Sequence, residues 1–138
     1  LEVLSSGLIS FSFAVFFGGD LADGLVASVL GCSLRLVTWL LQKASMNAIF
    51  TNVVASFFLS LSAIWLVRCG FGHDANKIII GNIMLLIPGI SLVNSLRDMM
   101  IGDIMTGILR LAEALMMSVA IAAGFGIAIM IFRSLWGV

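Results

Sequence analysis

The chain has 138 residues, of which 62% are hydrophobic and only 10% charged, and its formal net charge is zero. A soluble domain is roughly half apolar and about a quarter charged, so water is excluded as the solvent for most of this surface. The absence of a basic stripe also excludes a nucleic-acid partner. The composition therefore predicts a single transmembrane domain over residues 1–138, embedded in a lipid bilayer.

Five apolar segments alternate with polar turns along the chain. A membrane-spanning helix needs about 20 residues, and the residue alternation of a transmembrane barrel is missing from the sequence. We therefore predict an all-α bundle of about five transmembrane helices. The predicted spans are 1–17, 21–41, 47–67, 78–96 and 104–132. The last span would reach roughly 43 Å, so its first two turns should project past the membrane or line a wet cavity.

Polar residues at the span ends predict the connections. Asp20 and Asp23 are expected to cap the second helix, and the longest loop covers 69–77. Residues 97–103 are expected to form the turn before the last span. Arg35 lies deep in the second span, where it either snorkels to the interface, pairs with an acid or serves as a second-tier site residue.

A helix break is predicted in the fourth span, at Pro88 and Gly89. Pro88 lies ten residues after Ile78, about 15 Å along the helix. Proline has no N–H for the carbonyl of Met84, and its ring crowds that carbonyl. Many transporters bind substrate at a broken helix of this kind. The alternative is a structural kink that only shapes the bundle.

Polar and charged residues surround the break. The amides Asn82 and Asn94 are costly in lipid, so they serve either as hydrogen-bonding links between helices or as substrate ligands. A charged constellation follows, and its members are Arg97, Asp98, Asp103, Arg110 and Glu113. It is either an interfacial network that anchors the turn, with Arg110 and Glu113 able to pair, or a vestibule for a small anion or zwitterion.

Small residues recur at four-residue spacing in several spans. The ridges are Ala27–Gly31, Ser56–Ser60, Ala114–Ser118–Ala122–Gly126 and Ala120–Gly124–Ala128. Such ridges let helix backbones approach closely in lipid, either within the chain or at a subunit interface.

Soluble-enzyme chemistry has no motif in this sequence. It lacks a phosphate-binding loop, a nucleophile elbow, a dinucleotide fingerprint and a metal-spaced cluster of histidines and cysteines. The two cysteines resemble neither a disulfide framework nor a metal site. We therefore expect no enzyme activity, no cofactor and no metal.

An ordered string of residues between 80 and 110 carries a family resemblance. Its members are the 80–90 sequence IGNIMLLIPGI, Asn94, Arg97, Asp98, Gly102, Asp103, Gly107 and Arg110. This string resembles the first membrane block of the threonine/serine exporter family, including a split form whose two subunits are implicated in succinate export. Over 1–77 the resemblance rests on the number of spans and the turn at 18–20. The resemblance implies a cytoplasmic domain ahead of residue 1 and a second multi-span block elsewhere.

These observations predict a multi-pass subunit in the cytoplasmic (inner) membrane that forms half of a secondary exporter. Its substrate would be a small amino acid (threonine or serine) or a dicarboxylate (succinate), and its partner a second membrane subunit or another copy. The predicted substrate-binding residues are Asn82, Pro88, Gly89, Asn94, Arg97, Asp98, Asp103 and Arg110. The alternatives are a non-transporting scaffold subunit and an ion channel, although no filter sequence for a channel is present.

Overall fold

Short polar turns divide the apolar segments into six α-helices, with no strand, across the residues 1–137 that the structure describes. The structure is a computed structural model. The helices are α1 (Glu2–Phe16), α2 (Leu21–Lys43), α3 (Ala48–Arg68), α4 (Ala75–Leu86), α5 (Gly89–Ile101) and α6 (Ile104–Trp136). The predicted all-α membrane bundle is confirmed.

Helix length separates the membrane-spanning elements from the shorter ones. Helices α2, α3 and α6 are each long and apolar enough to cross a membrane, and the bent pair α4–α5 forms a fourth candidate span. Helix α1 has 15 residues, about 22 Å, which is shorter than the hydrocarbon core of about 30 Å. It is an apolar helix packed against α2 and α4.

Helix boundaries depart from the sequence-based prediction where the backbone finds a cap. Helix α4 begins at Ala75, earlier than predicted, because Asp74 accepts a hydrogen bond from the Asn76 N–H at 3.0 Å. Gly102 adopts a left-handed φ of 103° and ends α5. Arg97 and Asp98, predicted to lie in the turn, therefore belong to α5.

Two packing units share the long helix α6. Its second half packs against α3 within the bundle, whereas its first half packs against α5. A Cβ at Gly107 would lie 2.8 Å from the Ser95 carbonyl oxygen of α5, and one at Gly124 would overlap Ser56 of α3. Helices α5 and α6 thus form a hairpin that extends beyond the start of α3.

Small side chains dominate the bundle core, which lets the backbones approach closely. Its buried apolar residues are Ala14, Ala27, Leu30, Leu34, Ala55, Leu59, Ala63, Ile78 and Ile79. At the tightest contact between α1 and α4, a Cβ on Gly81 would lie 2.9 Å from the Ser10 carbonyl oxygen. The ridges Ala27–Gly31 and Ala120–Gly124–Ala128 are buried in this packing. By contrast, Ala122 is exposed and Gly126 is half-buried with open space beside it.

Asp23 joins the start of α2 to the 69–74 loop. Its carboxylate is 1% exposed, and Oδ1 accepts hydrogen bonds from the His73 N–H at 2.6 Å and the Asp74 N–H at 3.3 Å. Oδ2 accepts the Asp20 N–H at 3.3 Å. His73 Nδ1 also lies 3.6 Å from Asp20 Oδ2, so Asp20 and His73 share one end of the bundle. The predicted cap of α2 thus also holds a distant loop.

We expect Asp23→Ala to lower the free energy of unfolding by about 3 kcal/mol, because it leaves backbone donors without their charged acceptor. The measurement is denaturant unfolding of the purified protein in micelles. Asp20→Ala is the matched control, since Asp20 is exposed, and it should cost less than half as much. Equal losses in the two variants would contradict the assignment of Asp23 as the loop anchor.

Candidate functional site

The predicted break forms at Pro88. Helix α4 ends at Leu86, α5 begins at Gly89, and the two axes differ by 49°. Pro88 has φ −78° and ψ 59°, and the Gly89 N–H donates to the Ile87 carbonyl oxygen at 2.8 Å. This is an inverse γ-turn. A Cβ on Gly89 would meet nothing within 4 Å, so the break lies in open space.

Asn82 lies in the bundle, before the break. Its side chain is fully buried, and Nδ2 donates to the Ile78 carbonyl oxygen at 2.9 Å. Its Oδ1 is also buried and has no hydrogen-bond partner among the described residues. A buried acceptor without a donor is unfavourable, so Asn82 is one of the few unsatisfied polar groups of the core.

The charged constellation lies on the α5–α6 hairpin. Arg110 Nη1 is 2.9 Å from Asp98 Oδ2; the N–H does not point along this line, so the contact is an ion pair rather than an aligned hydrogen bond. Arg110 thus pairs across the turn with Asp98 instead of with Glu113, which is exposed. Asp103 accepts a hydrogen bond from the Thr106 N–H at 3.3 Å and caps α6.

The remaining predicted residues occupy other parts of α5. Asn94 is half-buried, and Arg97 is exposed beside a shallow apolar hollow formed by α5 side chains. The structure therefore brings Asp98 and Arg110 together. It separates the hairpin charges from Asn82, which belongs to the bundle.

A cavity of about 600 Å³ lies between α1, α2, α3 and the end of α4, within the size range of small-molecule sites. Its polar wall residues are Glu2, Ser5, Ser6, Arg35, Thr38, Gln42, Thr51 and Asn52, and its apolar ones include Leu34, Leu85, Leu86 and Met117. None of the eight predicted site residues is in this wall. Leu86, two residues before Pro88, connects the cavity to the break.

Sequence reasoning only partly anticipated the cavity wall. Arg35 was expected to snorkel, pair with an acid or serve a site, and it forms an ion pair with Glu2, for which no role was predicted. Thr51 is 3% exposed and its hydroxyl has no hydrogen-bond partner among the described residues. The available signal was a polar residue deep in an apolar span, but sequence alone does not show which helix faces meet.

One cluster of side chains has metal-ligating atoms close together. Single ligand atoms of Asp20, Asp23 and His73 lie within 4.8 Å of one another. Both Asp23 oxygens already accept backbone hydrogen bonds, so attachment of the loop accounts for this cluster.

Comparisons with known proteins address the whole chain. The family model described as "Putative threonine/serine exporter" matches residues 1–132. The chain belongs to this family. A curated threonine/serine exporter of Corynebacterium glutamicum is 29% identical over 133 residues, which cover 94% of this chain and 27% of that protein. No solved structure matches the chain significantly.

Membership in the threonine/serine exporter family confirms the resemblance seen between residues 80 and 110. The family is one of membrane exporters, which are not a class of enzymes, and the apolar helices agree with a multi-pass protein in a lipid bilayer. The chain spans about a quarter of the length of its curated relative.

We expect Asp98→Asn and Arg110→Gln each to lower the free energy of unfolding by at most about 1 kcal/mol, because the pair is partly exposed. The double variant Asp98→Arg with Arg110→Asp should recover most of that loss. Thermal unfolding in micelles measures both effects, and Arg133→Gln serves as a charge-matched control outside the hairpin. A swapped variant less stable than either single variant would show that the two charges do not pair.

Proposed function

We propose that this chain is a membrane subunit of a secondary exporter for a small amino acid such as threonine or serine. The observation that carries the proposal is the family match over residues 1–132, together with the interrupted α4–α5 pair. A dicarboxylate such as succinate is the alternative substrate. The proposed location is the cytoplasmic (inner) membrane, with a cytoplasmic domain ahead of residue 1.

The break supplies a plausible hinge for such a transporter. The γ-turn at Pro88 joins two helices through a single short hydrogen bond, whereas α5 is held to α6 by the Asp98–Arg110 pair and by the close contact at Gly107. A rotation at the break would therefore move α5 and the first half of α6 as one unit. Such hinge motions accompany substrate passage in many carriers.

The hairpin residues are proposed to line the substrate path together with a partner. Arg97, Asp103 and Glu113 are exposed on a hairpin whose surface is otherwise strongly apolar. Exposed charges are unfavourable against lipid, which supports a location facing water or another polypeptide. Asn82, Asn94, Asp98 and Arg110, together with the Pro88–Gly89 break, complete the proposed set.

The missing wall of this path is proposed to come from a second membrane subunit or from another copy of the chain. The chain corresponds to 27% of its curated relative, and only one broken helix occurs within residues 1–137. Transporter sites commonly form between two repeated halves. The open positions Ala122 and Gly126 on α6 provide a surface of small residues for such a contact.

Reconstitution tests the proposed function. We expect saturable export of threonine from proteoliposomes when this chain is combined with its membrane partner, and none above empty vesicles when it is present as a monomer. Export by a pure homodimer would replace the distinct partner by a second copy. Saturable export by an isolated monomer would refute the half-transporter proposal. Flux without saturation at channel-like rates would refute the carrier mechanism.

We expect Pro88→Ala to reduce the export rate at least about tenfold, because restoring the backbone N–H allows α4 and α5 to join as one helix. The measurement is the initial rate of threonine efflux, normalised to the amount of inserted protein. Ile87→Ala is the matched control, since it shortens a neighbouring exposed side chain without changing the hydrogen-bonding capacity of the backbone. An unchanged rate in Pro88→Ala would return the break to the role of a structural kink.

A further inference from the structure

The cavity between α1 and α4 has a polar mouth and an apolar floor. Its wall on α2 extends from Gln42 to Leu34, about 12 Å along the helix axis. Glu2 and Gln42 are exposed at the mouth, whereas Leu34 is buried. A pocket with a few polar groups above apolar walls is the usual form of a small-molecule site.

Opposite charges face each other at the mouth. The Arg35 guanidinium contacts the Glu2 carboxylate, and their side chains remain 43% and 77% exposed. An exposed ion pair contributes little stability, so it can open to admit a ligand of complementary charge. The guanidinium has five N–H donors, of which only one contacts Glu2.

Thr51 supplies an independent observation in the same wall. Its side chain is 3% exposed and its hydroxyl has no partner among the described residues. A buried hydroxyl without a hydrogen bond is unfavourable, and a bound polar ligand would relieve this deficit. The amides of Gln42 and Asn52 lie in the same wall and add further donors and acceptors.

We infer that this cavity binds a zwitterionic amino acid, with the carboxylate at Arg35 and the ammonium group at Glu2, and with Thr51 as a hydrogen-bonding partner. The inference rests on the proposed export function and gives it a binding site outside the hairpin. A dicarboxylate fits the same wall less well. It would meet a single cation, and its second carboxylate would face Glu2 or the apolar floor.

Equilibrium binding of radiolabelled threonine to the purified protein, with its membrane partner present, tests the inference. We expect unlabelled serine to displace threonine and succinate to leave it bound. Arg35→Gln and Thr51→Val should each weaken binding at least about tenfold. Arg133→Gln and Thr51→Ser are the matched controls, since the first removes a distant cation and the second keeps the hydroxyl, and each should bind within about twofold of the unmodified protein.

Loss of folding does not explain the expected result for Thr51→Val. Exchanging an unpartnered buried hydroxyl for a methyl group of similar shape leaves stability unchanged or raises it, which thermal unfolding checks. Substrate protection gives a second readout. In a protein with Cys32→Ala and Cys69→Ala, a thiol reagent should label Gln42→Cys more slowly in the presence of threonine, and at an unchanged rate with succinate.

The outcomes separate the cavity from the transport function. Equal threonine binding by Arg35→Gln, Thr51→Val and the unmodified protein would overturn the cavity site, even while export persists. Threonine binding that depends on Arg35 and Thr51 in a protein without export would support the cavity and refute the proposed function. Displacement of threonine by succinate, or no threonine binding by the unmodified protein, would overturn the inference.

Discussion

Pro88 has no N–H to give the carbonyl oxygen of Met84, in a solvent where the backbone must satisfy its own hydrogen bonds. The chain answers with a γ-turn in which the Gly89 N–H reaches the Ile87 carbonyl oxygen at 2.8 Å. Helix α5 then leaves at 49° to α4. Since α5 packs against the first half of α6, that half leaves the bundle too, and only the second half of α6 packs beside α3.

This departure divides the polar groups of the chain into two sets. Within the bundle, Glu2, Arg35 and Thr51 surround a cavity that reaches to within two residues of the break. On the hairpin, Asp98 and Arg110 hold α5 to α6. In the proposed exporter the first set binds the amino acid, while the hairpin moves as a unit and meets the second half of the transporter.

Local chemistry made much of the fold predictable from the sequence. The apolar spans, the cap of α2 and the break at Pro88 each depend on a few neighbouring residues, and the structure contains all three. The short length of α1 and the early start of α4 depend on caps whose strength is not visible in an apolar pattern. The cavity was not predictable, because it exists only where particular faces of four helices meet.

The pairing of Arg110 shows the same limit at the scale of one residue. Spacing along a helix allows Arg110 to pair with Glu113, but the left-handed Gly102 folds α5 back onto α6 and brings Asp98 to 2.9 Å. The most direct measurement of the central claim is the tilt of each helix, from ¹⁵N solid-state NMR of oriented bilayers with isoleucine and serine labels. Ile78, Ile79 and Ser95 should report two axes about 49° apart. A single tilt from 75 to 101 would contradict the account.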